Sequence, residues 1–126
     1  MPLLRKKKAI LLLDDDPSMQ RLVRTILTRE GFRIDSFLTG RQAIAAIEKG
    51  GSYDALLLDL MMPHEGGMTV IRHLRTKNPA LLRHVLLLTA SPDSIIATVE
   101  PEVAGVVPKP FTKEDLIRAV RAVSGQ

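Results

Sequence analysis

The stretch Ala9-Ile10-Leu11-Leu12-Leu13-Asp14-Asp15-Asp16-Pro17-Ser18 decides how the rest of the chain is read. Five consecutive aliphatic residues leave no polar face, which predicts a strand covered on both sides, as in a parallel sheet. The run ends in three aspartates. Asp16 followed by Pro17 then reads as a helix start, because a carboxylate can accept from the first free amides and proline is favoured at the first helical position. Met19, Leu22, Val23, Ile26 and Leu27 follow at helical spacing, and Gly31 stops them. The stretch is therefore one β-α unit.

Outward from it the unit repeats. Residues 32–37 read as a second strand, and Thr39 with Gly40 opens a helix carrying Ala43, Ile44 and Ile47 before Gly50 and Gly51. Ala55–Leu58 reads as another buried strand, followed by a loop with Pro63, Gly66 and Gly67 and a helix bearing Val70, Ile71 and Leu74. Residues 85–88 form a fourth strand; a short helix at 94–99, interrupted by Pro101, precedes a strand at 105–107. Thr112 and Asp115 make a capping-box start for a last helix with Leu116, Ile117, Val120 and Val123. Strict alternation of this kind predicts an α/β fold, a five-stranded parallel sheet with helices on both faces. Ligand sites in such sheets lie outside the carboxyl ends of the strands.

Composition limits the alternatives. The 126 residues suit one domain, with its core at about 8–124, and no cysteine is present, which excludes disulfide scaffolds and thiol chemistry. Eighteen Lys and Arg against 14 Asp and Glu give +4, but the bases are scattered apart from Arg5, Lys6, Lys7 and Lys8. Four aromatics (Phe32, Phe37, Tyr53, Phe111) are too few for a base-stacking platform, so nucleic-acid binding by this chain is not expected. The apolar run after the basic stretch is five residues, too short for an export signal or a membrane span, and a cytoplasmic location without membrane contact is expected.

The strand ends carry the chemistry. Asp14, Asp15 and Asp16 follow the first strand, Asp59 the third, Thr89 the fourth and Lys109 the fifth. Asp16 is assigned to the helix cap. If the first and third strands are neighbours, Asp14, Asp15 and Asp59 converge. Two unit charges ~5 Å apart at an effective dielectric of ~20 repel by roughly 3 kcal/mol, so such a cluster protonates or binds a cation. An all-oxygen set suits Mg²⁺ before Zn²⁺. His64, His73 and His84 lack zinc-site spacing and read as surface or packing residues. Lys109 and Thr89 add an ammonium and a hydroxyl, a setting for an aspartate that accepts a phosphoryl group. Asp59, solitary and central, is the candidate nucleophile.

Four motifs, Ile10-Leu-Leu-Leu-Asp14-Asp15-Asp16-Pro17-Ser18, Tyr53-Asp-Ala-Leu-Leu-Leu-Asp59-Leu-Met-Met-Pro63, Leu88-Thr89-Ala90 and Lys109-Pro110-Phe111, together resemble the receiver domain of two-component response regulators over nearly the whole chain. The resemblance implies a flavodoxin-like sheet in the order 2-1-3-4-5 and phosphorylation of Asp59 by a sensor histidine kinase or phosphotransfer protein. It further implies Mg²⁺ held by Asp15, Asp59 and the Met61 carbonyl, with Asp14 assisting through water. Thr89 and Lys109 would contact the phosphoryl oxygens, and Lys109-Pro110 would be a cis peptide bond. A signalling domain of this type is not an enzyme beyond slow self-dephosphorylation; its output partner is unspecified and a homodimer is compatible with it.

The sequence departs from the family where the signal should pass. Val106 stands at the switch position on the fifth strand where receivers commonly carry an aromatic residue, Pro101 lies in the fourth-helix region, and Pro108 removes an amide in the fifth strand. Two other functions stay open at this point. One is a receiver-like interaction module that is not phosphorylated. The other is a Mg²⁺-dependent phosphohydrolase, against which Leu60 and Met61 stand where an Asp-x-Asp pair would be needed.

Overall fold

A computed structural model describes residues 6–125; Arg5 of the basic run and Gln126 lie outside the described residues. The strands are β1 (Ala9–Leu13), β2 (Arg33–Phe37), β3 (Ala55–Leu58), β4 (Val85–Thr89) and β5 (Gly105–Pro108). The helices are α1 (Pro17–Arg29), α2 (Gly40–Glu48), α3 (Gly67–Lys77), α4 (Asp93–Ala97) and α5 (Lys113–Ser124). All strand pairings are parallel and the order is β2-β1-β3-β4-β5, the order implied by the family resemblance.

The aliphatic runs divide their side chains between two cores with the period of two that a strand imposes. Ile10, Leu12, Leu57, Leu86 and Leu88 pack with Val23, Ile26 and Leu27 of α1 and Leu116 and Val120 of α5. Leu11, Leu13, Leu56, Leu58 and Leu87 pack on the other face with Ala43 of α2 and Val70, Ile71 and Leu74 of α3. Each fully buried Leu, Ile or Val contributes roughly 1.5 to 3 kcal/mol relative to exposure. This burial on both faces is why β1, β3 and β4 need no polar residue until they end.

Caps fix where the helices begin. The Asp16 carboxylate accepts from the Ser18 amide at 2.8 Å, and Thr112 and Asp115 form the expected reciprocal capping box of α5. The fourth helix differs from expectation. It covers only Asp93–Ala97, and Glu100–Glu102 follows as a 3₁₀ turn. Pro101 has no amide hydrogen and its ring would meet the carbonyl of Ala97, four residues earlier, so the α-helix cannot run through it. Val99 and Val103, both buried, hold this segment to the core while α4 buries none of its own residues. A second 3₁₀ segment at Pro79–His84 was not foreseen from the sequence. Pro108 is tolerated because β5 is an edge strand, and the ladder continues past it with the Lys109 amide donating to the Thr89 carbonyl at 3.0 Å.

Among the described residues, no helix is long and apolar enough to cross a membrane.

Candidate functional site

Leu13 is in register with Leu58, so Asp14 and Asp59 leave the sheet side by side. Asp14, Asp15 and Asp59 offer carboxylate oxygens that all lie within 4.8 Å of one another. Asp14 and Asp59 are buried, at 0% and 4% exposure, whereas Asp15 is exposed and leaves the cluster open on one side. The all-oxygen donor set and the open side fit a small hard cation.

Lys109, at the end of β5, reaches across the rim into this cluster. Its Nζ donates to Asp14 Oδ2 at 2.8 Å and to Asp59 Oδ2 at 3.2 Å. Burial opposes the ammonium charge, but the hydrogen bonds and charges of Asp14 and Asp59 outweigh it and hold the Lys109 pKa above the ordinary lysine value. One ammonium among three carboxylates still leaves an excess of negative charge. The other oxygens of Asp14 and Asp59 are held by backbone amides: Asp14 Oδ1 accepts from the Asp16 amide at 2.9 Å, and Asp59 Oδ1 from the Met61 amide at 2.9 Å. Met61 itself is exposed and follows the cluster in the β3-α3 loop.

Thr89 ends β4 beside β3, buried, but its hydroxyl is engaged elsewhere. Thr89 Oγ1 lies 2.8 Å from Ser91 Oγ and accepts from the Ser91 amide at 3.1 Å. Val106 is half-buried against the core and, with Thr89, Ser91, Ile96 and Lys109, lines a cavity of about 370 Å³. The Lys109-Pro110 peptide bond is cis.

Two supports of the site were missed in the sequence. Gln20 Nε2 donates at 2.8 Å to both the Asp14 and the Phe37 carbonyls, tying the β1 and β2 exits together. Gly67 donates its amide to the Asp59 carbonyl at 2.8 Å, and a Cβ on Gly67 would lie 2.8 Å from that same oxygen. Ser91 has a local signal in the sequence, since a serine two residues after a threonine can bond to it. The histidines sit outside the cluster. His73 pairs with Glu48 at 2.9 Å, His84 Nδ1 lies 2.9 Å from the Asp54 carbonyl, and His64 is exposed.

The family profile described as "Response regulator receiver domain" matches residues 10–121. The chain belongs to that family. As a receiver domain it is a module of two-component signalling. It is 37% identical over 117 residues to "Transcriptional regulatory protein TcrA" of Mycobacterium tuberculosis, covering 91% of this chain and 45% of that protein. The receiver therefore spans a little under half the length of that relative. Among solved structures, the chemotaxis response regulator CheY4 of Vibrio cholerae superposes with a TM-score of 0.82 at 23% identity, covering 94% of this chain and 99% of that one, which shows the shared fold. The receiver domain of the sensor histidine kinase PA1611 from Pseudomonas aeruginosa PAO1 gives a TM-score of 0.83 at 26% identity, covering 96% and 100% of the two chains. That structure has a magnesium ion coordinated in its active site cleft.

Proposed function

We propose that this receiver accepts a phosphoryl group on Asp59 in a Mg²⁺-dependent reaction, from a sensor histidine kinase or a phosphotransfer protein, and that the modification changes its binding to an output partner. The observation that carries this reading is the buried Asp59 carboxylate, 3.2 Å from Lys109 Nζ and grouped with Asp14 and Asp15.

Asp15, Asp59 and the Met61 carbonyl would hold the cation, with Asp14 acting through water, as the family resemblance implies; Asp14 and Asp59 each already accept from a backbone amide and from Lys109. Bound there, Mg²⁺ supplies positive charge that offsets carboxylate and phosphoryl oxygens alike. The protein's own groups do the rest. An Asp59 carboxylate oxygen attacks phosphorus and forms the acyl-phosphate bond as the donor's P–N bond breaks. The electron pair of the broken bond stays on the donor imidazole, which takes up a proton. Lys109 would then pair with a phosphoryl oxygen, and Thr89 would offer its hydroxyl to another.

Charge-assisted hydrogen bonds are worth about 1.5 to 3 kcal/mol each, so two give roughly 3 to 6. Taking a two-state equilibrium from 1:99 to 99:1 needs about 5.5 kcal/mol, which only the upper end of that range reaches. The bonds that Lys109 and Thr89 already make are exchanged for the new ones, so the phosphoryl group shifts the equilibrium by less than a full switch through these two contacts alone. Titration with beryllofluoride in the presence of Mg²⁺, followed by thermal melting, tests the site. Wild type is expected to gain Tm and Asp59→Asn to gain none; equal responses would overturn the assignment.

A further inference from the structure

We propose that Ser91 is a positioning residue that holds the Thr89 hydroxyl in the unphosphorylated orientation; this rests on the phosphoacceptor reading of Asp59. A buried hydroxyl needs a partner, and Thr89 is 1% exposed. Its partners are the Ser91 side chain at 2.8 Å and the Ser91 amide at 3.1 Å, while Lys109 makes its bonds to Asp14 and Asp59. Thr89 thus stands outside the Asp-Lys network, and with its hydroxyl as the donor to Ser91 Oγ, turning that hydroxyl toward a group on Asp59 gives up the bond.

The release is made easy on the Ser91 side. Ser91 and Thr89 border the cavity of about 370 Å³ that Val106 also lines. That volume and its polar lining admit water, so a Ser91 hydroxyl left behind by Thr89 can be rehydrated. Ser91 therefore restrains Thr89 through one exchangeable hydrogen bond, and the strength of that bond sets how readily the site adopts its phosphoryl-binding arrangement.

The test uses the full chain with Ser91→Ala, Ser91→Thr and Thr89→Ala. In Ser91→Ala the Thr89 hydroxyl keeps only the amide, so affinity for beryllofluoride with Mg²⁺ is expected to rise about three- to tenfold, the range for one neutral hydrogen bond. The Thr89 methyl NMR signal of the unliganded variant is expected to move part of the way toward its position in beryllofluoride-saturated wild type. Ser91→Thr keeps the hydroxyl and is expected to match wild type in both readouts. In a Thr89→Ala background, Ser91→Ala is expected to leave the affinity unchanged, which a merely structural role for Ser91 would not produce. Unchanged or weakened binding in Ser91→Ala with an unmoved Thr89 signal would overturn the role of Ser91 alone, provided that wild type binds. If wild type fails to bind beryllofluoride and behaves like Asp59→Asn, the phosphoacceptor reading falls and this proposal with it.

Discussion

At the scale of single residues, Lys109 is the group whose removal reports most on the cluster. Its side chain is 18% exposed and pairs with two buried carboxylates, so Lys109→Met leaves them uncompensated. Breaking a buried pair costs about 3 to 5 kcal/mol, and the partial exposure here lowers the expected loss to about 1 to 3, measured by urea denaturation in chelator. Added Mg²⁺ is expected to restore a larger share of stability in Lys109→Met than in wild type, because binding to the folded state alone is stabilising. Tyr53 provides a pH test away from the site. Burial, with its hydroxyl donating to Asp35 Oδ2 at 2.8 Å, pushes its pKa up to about 12. The folded state then holds the proton more tightly than the unfolded chain, whose tyrosine titrates near ~10. The contribution is complete below that pH and is lost as pH rises through the folded value, so wild type is expected to lose stability more steeply between roughly pH 10 and 12 than Tyr53→Phe. Parallel slopes in the two proteins would contradict this. Asp14, Asp59 and Lys109 were legible in the sequence because each directly ends an apolar run. The roles of Gln20 and Ser91 were not, because their partners are fixed by how separate segments meet.

At the scale of elements, α3 is set against the site by Gly67. A Cβ there would come within 2.8 Å of the Asp59 carbonyl, so Gly67→Ala must push the start of α3 away from the residue it steadies. Overpacking of this kind typically costs about 1 to 3 kcal/mol, and phosphate uptake is expected to fall with stability. A variant with wild-type melting and uptake would show that the approach is not needed. Thr112→Ala removes a cap whose hydrogen bonds run to Asp115 rather than to the carboxylate cluster, and is expected to cost about 1 kcal/mol in chemical denaturation while leaving Mg²⁺ affinity unchanged. The strands were readable because Leu11, Leu12, Leu56, Leu57 and their neighbours form unbroken aliphatic runs, and the long helices because their apolar residues recur at 3.6. The segment Pro79–His84 shows neither pattern: it is a 3₁₀ turn anchored chiefly by buried Leu82. The shortness of α4 was half legible, since Pro101 announced the break but the contacts of Val99 and Val103 follow only from the fold.

At the scale of the whole molecule, parallel strands with crossovers bring residues 95 and 50 positions apart into one hydrogen-bonded cluster, Lys109 with Asp14 and Asp59. The net charge of +4 hides this acidic pocket, because the bases are spread over the surface while the carboxylates are concentrated at one end of the sheet. In the proposed switch, Val106 beside the cavity and Ser91 bonded to Thr89 would both act downstream of one event, phosphorylation of Asp59. Intact-mass analysis after incubation with a small phosphodonor and Mg²⁺ asks about that event directly. One added phosphate on wild type, abolished by chelator and by Asp59→Asn, is the predicted result; no addition to wild type, or the same addition to Asp59→Asn, would contradict it.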